Sequence, residues 1–240
     1  MRGLYTASSV MLACLDYQTL IAKNLANAST TGYKGERLRL STFEDMLLGL
    51  SPDGDGSLGL GVIPTGAPID LTQGSLRETE RALDLALEGS AFFAVQTPDG
   101  VRLTRDGSFG LSSNRELVTL EGYRVMGTNG PIVLPEGDVT ITEAGLVLVD
   151  GANVAQLALV VPTEEGELDK VGDNLLAGPY RPAAPEEGRV LQGYLEGSNV
   201  DLSDTMAQLM AVYRTFEAAQ RVMLTQSQSV DTAANEVGKV

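Results

Sequence analysis

Apolar residues near the start of the chain recur at alternating steps of three and four, which is the spacing of one face of an α-helix. The positions of this stripe are Leu4, Ala7, Met11, Cys14, Gln18, Ile21, Leu25 and Ala28. The pattern predicts a helix of about 25 residues, roughly 37 Å long. Ser29-Thr30-Thr31-Gly32 follows it, and Gly32 can adopt the left-handed conformation that ends many helices.

A longer stripe with the same spacing runs through residues 202–237, which contain neither Pro nor Gly. Its positions are Leu202, Met206, Leu209, Tyr213, Phe216, Gln220, Met223, Ser227, Val230, Ala234 and Val237. This stripe predicts a helix of about 36 residues, roughly 54 Å long, with Asp201 or Ser203 able to cap its start. A period of 3.5 residues is typical of helices that pack side by side along their length.

The two stripes together define a seam that we expect to be buried between helices. The predicted seam consists of Leu4, Ala7, Met11, Cys14, Ile21, Leu25, Leu202, Met206, Leu209, Tyr213, Phe216, Met223, Val230 and Val237. The polar members of the stripes are expected to cost stability and to help fix the alignment of the helices.

Between the stripes the apolar period shortens to two, and Gly and Pro become frequent. Residues 41–68 predict a flexible loop rich in Gly and Pro. The segment after it predicts short antiparallel strands separated by turns, including a tight turn at 98–100. The predicted strands are Phe92–Val95, Val101–Thr104, Leu117–Thr119, Arg124–Met126, Val139–Ile141, Leu146–Val149 and Gln156–Val161.

These patterns predict an α+β protein in which long terminal helices pair as a coiled-coil-like assembly domain around a central antiparallel β-rich domain. Residues 1–40 form the N-terminal helix and turn, 41–68 the loop, 69–197 the β domain and 198–240 the C-terminal helix. Because its apolar alternation is self-contained, the fragment 69–195 is predicted to fold alone.

Charge and composition limit the classes of function that the protein can have. The 240 residues include 17 basic and 32 acidic side chains and no His, for a net charge of −15. Such an acidic surface repels nucleic-acid phosphates, and a Ser nucleophile has no His to activate it. A single Cys excludes an internal disulfide and a Cys-based zinc site. We therefore expect no enzymatic activity, no cofactor or metal, and neither nucleic acid nor a small-molecule substrate as a partner.

The segment Val10-Met11-Leu12-Ala13-Cys14 has the form of a bacterial lipidation site. Polar residues interrupt the apolar stretch that a signal peptide requires, and the helical pattern continues past Cys14. We therefore expect Cys14 to be a small apolar residue of the seam and the chain to have no cleaved signal peptide.

Three segments resemble a known family. Residues 21–34 (IAKNLANASTTGYK) are similar to the N-terminal signature of bacterial flagellar basal-body rod and hook proteins. Residues 193–202 (GYLEGSNVDL) are similar to the element that precedes the C-terminal helix of this family, and residues 92–109 to its central β module. The resemblance spans nearly the whole chain in the order found in the family.

The resemblance implies a structural subunit of the flagellar basal-body rod, exported unfolded through the flagellar type III apparatus. It implies helical self-assembly, contacts with other rod and hook proteins, and a place in the axial drive shaft that transmits torque for motility. This location is the basal body, outside the cytoplasmic membrane. In the signature turn formed by Asn24, Asn27, Thr31 and Gly32, the three polar residues either bond to neighbouring subunits or cap the helix locally.

Two alternatives remain at the level of sequence. The short middle region and Arg214-Thr215-Phe216-Glu217 favour a proximal-rod subtype over a distal-rod or hook-basal-body subtype. The other functional class is a surface adhesin or lipoprotein whose two helices form an intramolecular stalk.

Overall fold

The computed structural model describes residues 2–42, 62–164, 168–172 and 174–237. Both predicted helices are present: α1 spans Arg2–Ala26 and α2 spans Leu202–Val237. Asp201 caps α2, because its Oδ1 accepts hydrogen bonds from the backbone N–H groups of Ser203 at 2.7 Å and Asp204 at 2.9 Å. Neither described helix is long and apolar enough to cross a bilayer.

The chain divides into two compact units, each built from separate stretches of sequence. The helical unit comprises Met1–Ala26, Glu36–Pro68 and Asp201–Val240, and the β unit comprises Asn27–Gly35 and Ile69–Val200. The boundaries differ from the predicted ones, because the segment after α1 belongs to the β unit. The predicted α+β class is confirmed.

The helical unit also contains a pair of antiparallel strands, β1 (Arg39–Thr42) and β2 (Val62–Gly66). These strands occupy the two ends of the predicted flexible loop. Residues 43–61 of that predicted loop lie outside the described residues.

The β unit contains a ten-stranded sheet in which all pairings are antiparallel. Its strands are β5 Phe92–Thr97, β6 Gly100–Thr104, β7 Gly110–Leu111, β8 Leu117–Val118, β9 Arg124–Gly127, β10 Gly130–Pro131, β14 Leu159–Pro162, β15 Asp169–Lys170, β16 Leu175–Ala177 and β17 Tyr180–Pro182. The longest path through the sheet runs β15-β16-β6-β5-β9-β8-β7, with β10, β14 and β17 attached to the side.

The β unit also contains smaller antiparallel sheets. Their strands are β3 Leu76–Glu78, β4 Leu85–Gly89, β11 Val139–Ile141, β12 Leu146–Val149, β13 Ala152–Gln156, β18 Gly188–Gln192 and β19 Tyr194–Glu196. They pair as β11-β12-β13, β18-β4 and β19-β3. The last of these sheets joins the beginning and the end of the β unit.

The hairpin β5–β6 organises the core of the β unit. Thr97 pairs with Gly100, so the turn consists of Pro98 and Asp99, within the predicted turn at 98–100, and Gly100 begins β6. Phe93 and Val95 point into the larger apolar cluster, and Phe92 and Ala94 point into the smaller one. This alternation places one apolar layer on each face of the sheet.

One predicted strand is wrong in its extent. Gln156–Val161 was expected to be a single strand, but β13 ends at Gln156 and β14 begins at Leu159. Leu157 forms an isolated bridge to Gly127 between them. The chain thereby moves from the three-stranded sheet to the large sheet, and a continuous apolar run does not reveal such a change of partner.

Candidate assembly interface

The two helices share a small apolar cluster within the helical unit. Cys14, Ile21 and Val212 are its buried members. Partly buried side chains surround them: Val10, Tyr17, Leu209 and Phe216. The Tyr17 hydroxyl lies 3.4 Å from Oε1 of Gln208, which adds a polar contact between the helices. The structure therefore brings together four residues of the predicted seam: Cys14, Ile21, Leu209 and Phe216.

Other seam residues do not enter this cluster. Ala7 is buried and Met11, Leu25 and Met223 are half-buried, whereas Leu202, Met206 and Tyr213 are exposed. The side chains of Leu4, Val230 and Val237 lie outside the described part of the structure. The stripe on α2 is thus divided between a face that meets α1 and a face that remains open in the single chain.

Sequence reasoning missed Val212, which is buried at 7 % exposure beside Tyr213 at 54 %. A strict 3.5-residue frame selected the larger aromatic residue. The buried positions Thr205, Val212 and Ala219 also repeat every seven residues, and Val212 packs with Leu209 and Phe216, which both frames share. The predicted frame took the opposite flank of Leu209 and Phe216, where Met206 and Tyr213 are exposed, because that flank carries the larger apolar side chains.

A groove of ≈ 380 Å³ runs along the helical unit and is almost entirely apolar. Its walls are formed by Val10, Ala13, Cys14, Tyr17, Gln208, Ala211, Val212 and Thr215. The small side chains in this set leave room for an apolar side chain to enter.

The thiol of Cys14 is buried, and burial raises its pKa above the usual value. A reactive cysteine instead has a lowered pKa and an exposed sulfur. Its position inside α1 and its packing against Val212 agree with the expectation that Cys14 is a helix-packing residue.

Cys14→Ser is expected to lower the free energy of unfolding of the helical unit by about 1 kcal/mol, because the hydroxyl is buried among apolar side chains. The loss stays small because a helical Ser can bond to the carbonyl four residues earlier. Urea denaturation followed by helical circular dichroism measures the change. An exposed-site control is Ser229→Ala on α2, and equal changes in the two variants would contradict the packing role.

The polar side chains of the signature turn make hydrogen bonds within the chain. The amide of Asn24 pairs with the backbone of Glu36, and Oδ1 of Asn27 accepts a hydrogen bond from the Thr30 hydroxyl at 3.0 Å. Thr31 is half-buried, and Gly32 has the expected left-handed conformation, with φ of 67°. A methyl group at Gly32 would collide with the backbone of 105–106, so this position requires Gly for two reasons.

Three charged side chains that sequence reasoning did not select meet inside the β unit. Lys34, Arg105 and Glu196 are 2 %, 1 % and 0 % exposed, respectively. Oε1 of Glu196 accepts a hydrogen bond from Nζ of Lys34 at 2.7 Å, and Oε2 accepts one from Arg105 at 3.0 Å. We call these three residues the buried charge cluster.

Burial lowers the pKa of both Lys34 and Arg105, and the negative charge of Glu196 opposes this effect at each. Further hydrogen bonds from the cluster reach the backbone, including Lys34 to the carbonyl of Thr72 at 2.7 Å. The backbone N–H of Gly74 donates to Glu196 at 2.9 Å. The cluster therefore ties together chain segments that are far apart in sequence.

One sequence signal pointed toward this cluster. Lys34 and Glu196 each lie within a segment that resembles the flagellar family, but the pairing itself has no local signature. In the described part of the chain, no group of three or more His, Cys, Asp or Glu side chains is arranged to hold a metal ion.

Two regions of the chain match family models. Residues 86–149 match the D1 domain of the flagellar hook proteins FlgE/F/G, and residues 191–236 match the C-terminal region of the flagellar basal-body rod proteins FlgEFG. The first match covers the centre of the β unit, and the second runs from the end of the β unit into α2.

Similar proteins match over their whole length. The flagellar hook-basal body complex protein FlhO of Bacillus subtilis is 32 % identical, with 100 % of both chains covered. The rod protein FlgG of Borreliella burgdorferi is 33 % identical over 98 % of both chains. FlgF of Caulobacter vibrioides is 31 % identical over 99 % of this chain and 98 % of its own. Relatives named FlgG and FlgF match to a similar extent, so these similarities do not decide the rod subtype, and the proximal-rod subtype stays a prediction. The full-length similarities show that the chain belongs to the family of flagellar basal-body rod proteins.

Proposed function

We propose that this protein is a structural subunit of the flagellar basal-body rod and that it polymerises through α1 and α2. Membership of the rod family supports the structural role. The observation that carries the mode of assembly is the open apolar face of the helices. On α2 it consists of Leu202, Met206, Met210, Tyr213 and Leu224, which follow one side of the helix, and α1 contributes the exposed Leu12 and Leu15; their exposures run from 46 % to 64 %.

Such a face is costly for an isolated soluble protein, because large apolar patches on monomers usually mark contact sites. Burying one such side chain completely contributes about 1.5–3 kcal/mol. A repeated contact between copies that covers several of them therefore provides enough free energy for stable assembly.

The groove and the open apolar face involve different residues of the helical unit. Contacts between two different patches are heterologous, and when the rotation between copies does not close they produce a helical polymer. A helical shaft of this kind transmits torque, which is the role in motility that we assign to the protein.

The same proposal includes location and partners. A rod subunit lies in the basal body, contacts other rod and hook proteins, and reaches that location by unfolded export through the flagellar type III apparatus without a cleaved signal peptide. The names of the relatives support the location and the contacts with other rod and hook proteins, and the resemblance of residues 21–34 to the rod-protein signature motivates the export route. Family membership also supports a structural rather than an enzymatic role.

The stalk alternative fits the molecule less well. A stalk made of two helices from one chain would bury the apolar stripe between them, whereas α2 leaves Met206 and Tyr213 exposed. A lipid-anchored form would require Cys14 at a processed N-terminus, and this residue is buried within α1.

The double variant Met206→Gln/Tyr213→Gln is expected to abolish swimming while leaving the monomer folded. Both side chains are about half exposed, so the free energy of unfolding should change by less than about 0.5 kcal/mol. Motility is measured by complementation of a strain that lacks the gene, and monomer stability by urea denaturation.

The matched control is Thr225→Gln/Ser229→Gln, which changes two exposed polar positions on the same helix, away from the open apolar face. It should swim normally. Normal swimming of the Met206/Tyr213 variant would refute assembly through this face, and an unfolded monomer would show that the face is needed for folding instead.

A further inference from the structure

The contact between α1 and α2 does not by itself select one alignment of the helices. Val212 packs with Cys14 and Ile21, but Thr205 and Ala219 lie seven residues to either side of it and are also buried, at 7 % and 8 % exposure. A slip of one heptad, roughly 10 Å, would present an equivalent face to α1. A second feature must therefore fix the alignment.

At the end of α1, the side chain of Asn24 holds the chain that returns after the turn. Its Nδ2 donates to the carbonyl of Glu36 at 2.8 Å, and its Oδ1 accepts from the N–H of Glu36 at 3.1 Å. The ammonium of Lys23 adds an ion pair to the Glu36 carboxylate at 2.8 Å. The last turn of α1 is thus fixed to residue 36 by three bonds.

Just before α2, the side chain of Asn199 makes a similar set of contacts inside the β unit. Its Oδ1 accepts from the N–H of Gly35 at 2.7 Å, and its Nδ2 donates to the carbonyls of Asp70 at 2.8 Å and Thr72 at 3.1 Å. The N–H of Asn199 also donates to the carbonyl of Tyr33 at 3.3 Å.

We propose that Asn24 and Asn199 are positioning residues that set the register of α1 against α2. Asn24 holds Glu36, Asn199 holds Gly35, and a single peptide bond joins these two residues. Asn199 in turn lies three positions before the first residue of α2. The end of α1 is therefore linked to the start of α2 by two side-chain bridges and a few residues of chain.

This path is too short to absorb a slip of one heptad while both amides keep their bonds. It agrees with the position of the helix contact, because Tyr17 and Gln208 lie in the halves of α1 and α2 nearest the linked ends. An amide suits both sites, since each bridge uses a donor and an acceptor on one side chain. The register set in this way decides which apolar residues the single chain presents to other copies.

Disulfide formation with the native Cys14 tests this inference on the full-length chain. Three reporter substitutions are made one at a time: Val212→Cys for the observed register, and Thr205→Cys and Ala219→Cys for a slip of one heptad either way. Each is combined with Asn24→Ala, with Asn199→Ala, with both, or with the control Asn153→Ala, which removes an exposed amide from β13. Oxidation is carried out in dilute solution, and the cross-linked monomer is quantified on non-reducing gels.

In the parent and the Asn153→Ala control, the cross-link should form at residue 212. In the asparagine variants, the yield at 212 relative to the sum at 205 and 219 should fall about tenfold, as expected when net hydrogen bonds that favour one register are lost. An unchanged ratio in the double variant would overturn the inference. So would the loss of all three cross-links together with helical circular dichroism, because the asparagines would then hold the helices folded rather than choose their register.

The assay uses monomers, so its result is independent of the proposed rod assembly. A failed cross-linking test would leave the expected loss of swimming in Met206→Gln/Tyr213→Gln unaffected. Normal swimming of that variant would likewise leave the expected cross-linking result unaffected.

Discussion

Glu196→Gln is expected to lower the free energy of unfolding of the β unit by about 3–5 kcal/mol, the range measured when one partner of a buried ion pair is removed. Typical domains have a free energy of unfolding of about 5–15 kcal/mol, so this single change removes a large part of that stability. The substitution keeps the shape of the side chain, and its effect therefore reports on charge.

The reason for so large a loss is that one carboxylate serves two buried cations. Glu196 is completely buried, and it accepts from Lys34 at 2.7 Å and from Arg105 at 3.0 Å. A glutamine amide presents at most one oxygen, and its NH₂ group would face one of the two cations as a second donor. Lys34 and Arg105 would then remain in the interior without a counter-charge.

Urea denaturation of the full chain, followed by a signal from the β unit, measures the effect. Glu187→Gln is the matched control, because Glu187 forms an ion pair with Arg181 at the surface, where solvent screens the interaction. The control should be far less affected than Glu196→Gln. Similar losses in the two variants would show that the buried charge cluster contributes no more than a surface pair.

Lys34→Met should be milder than Glu196→Gln. It removes one of the two cations and leaves Arg105 and Glu196 as a neutral pair, so no buried charge remains uncompensated. Comparison of the two variants separates the effect of an unbalanced charge from the loss of a single hydrogen-bonded contact.

The sequence predicted the elements whose pattern is local. The 3-4 spacing predicted α1 and α2, and the alternation around Pro98-Asp99 predicted the hairpin β5–β6 with its turn. Gly32 and Asp201 also behave as expected, since a helix end and a helix cap depend on only a few neighbouring residues.

Features that depend on distant partners were not predictable in this way. The pattern does not reveal that the chain changes sheets between Gln156 and Leu159, because both strands are apolar. It also does not show which residue of α2 faces α1, since Val212 and Tyr213 differ by only one position and the choice depends on the rotation of the helix.

The buried charge cluster is the clearest case of a feature that local reasoning misses. Lys34, Arg105 and Glu196 are separated by many residues, and charged side chains are almost never fully buried unless they are paired. A reading of sequence alone therefore assigns each of them to the surface. Only the fold brings the pairing partners together, and with them the segment 27–35 into the β unit.

The fragment 69–195, which the alternation of apolar residues predicts to fold alone, is now expected to be unfolded or only partly folded. It contains Arg105 but lacks Glu196, so a buried guanidinium would have no carboxylate partner. It also lacks Tyr33, which is 0 % exposed in the β unit and whose burial contributes about 1.5–3 kcal/mol. These losses together approach the whole stability of a domain of this size.

The fragment 27–200 keeps all of these groups and is expected to fold into the β unit with a cooperative urea transition. Circular dichroism and amide hydrogen exchange on the two fragments provide the comparison. Slow exchange in β5 and β6 should be found in 27–200 and be absent from 69–195. If 69–195 instead unfolds cooperatively at the same urea concentration as 27–200, the segment after α1 is an accessory to the β unit, and the buried charge cluster does not hold that unit together.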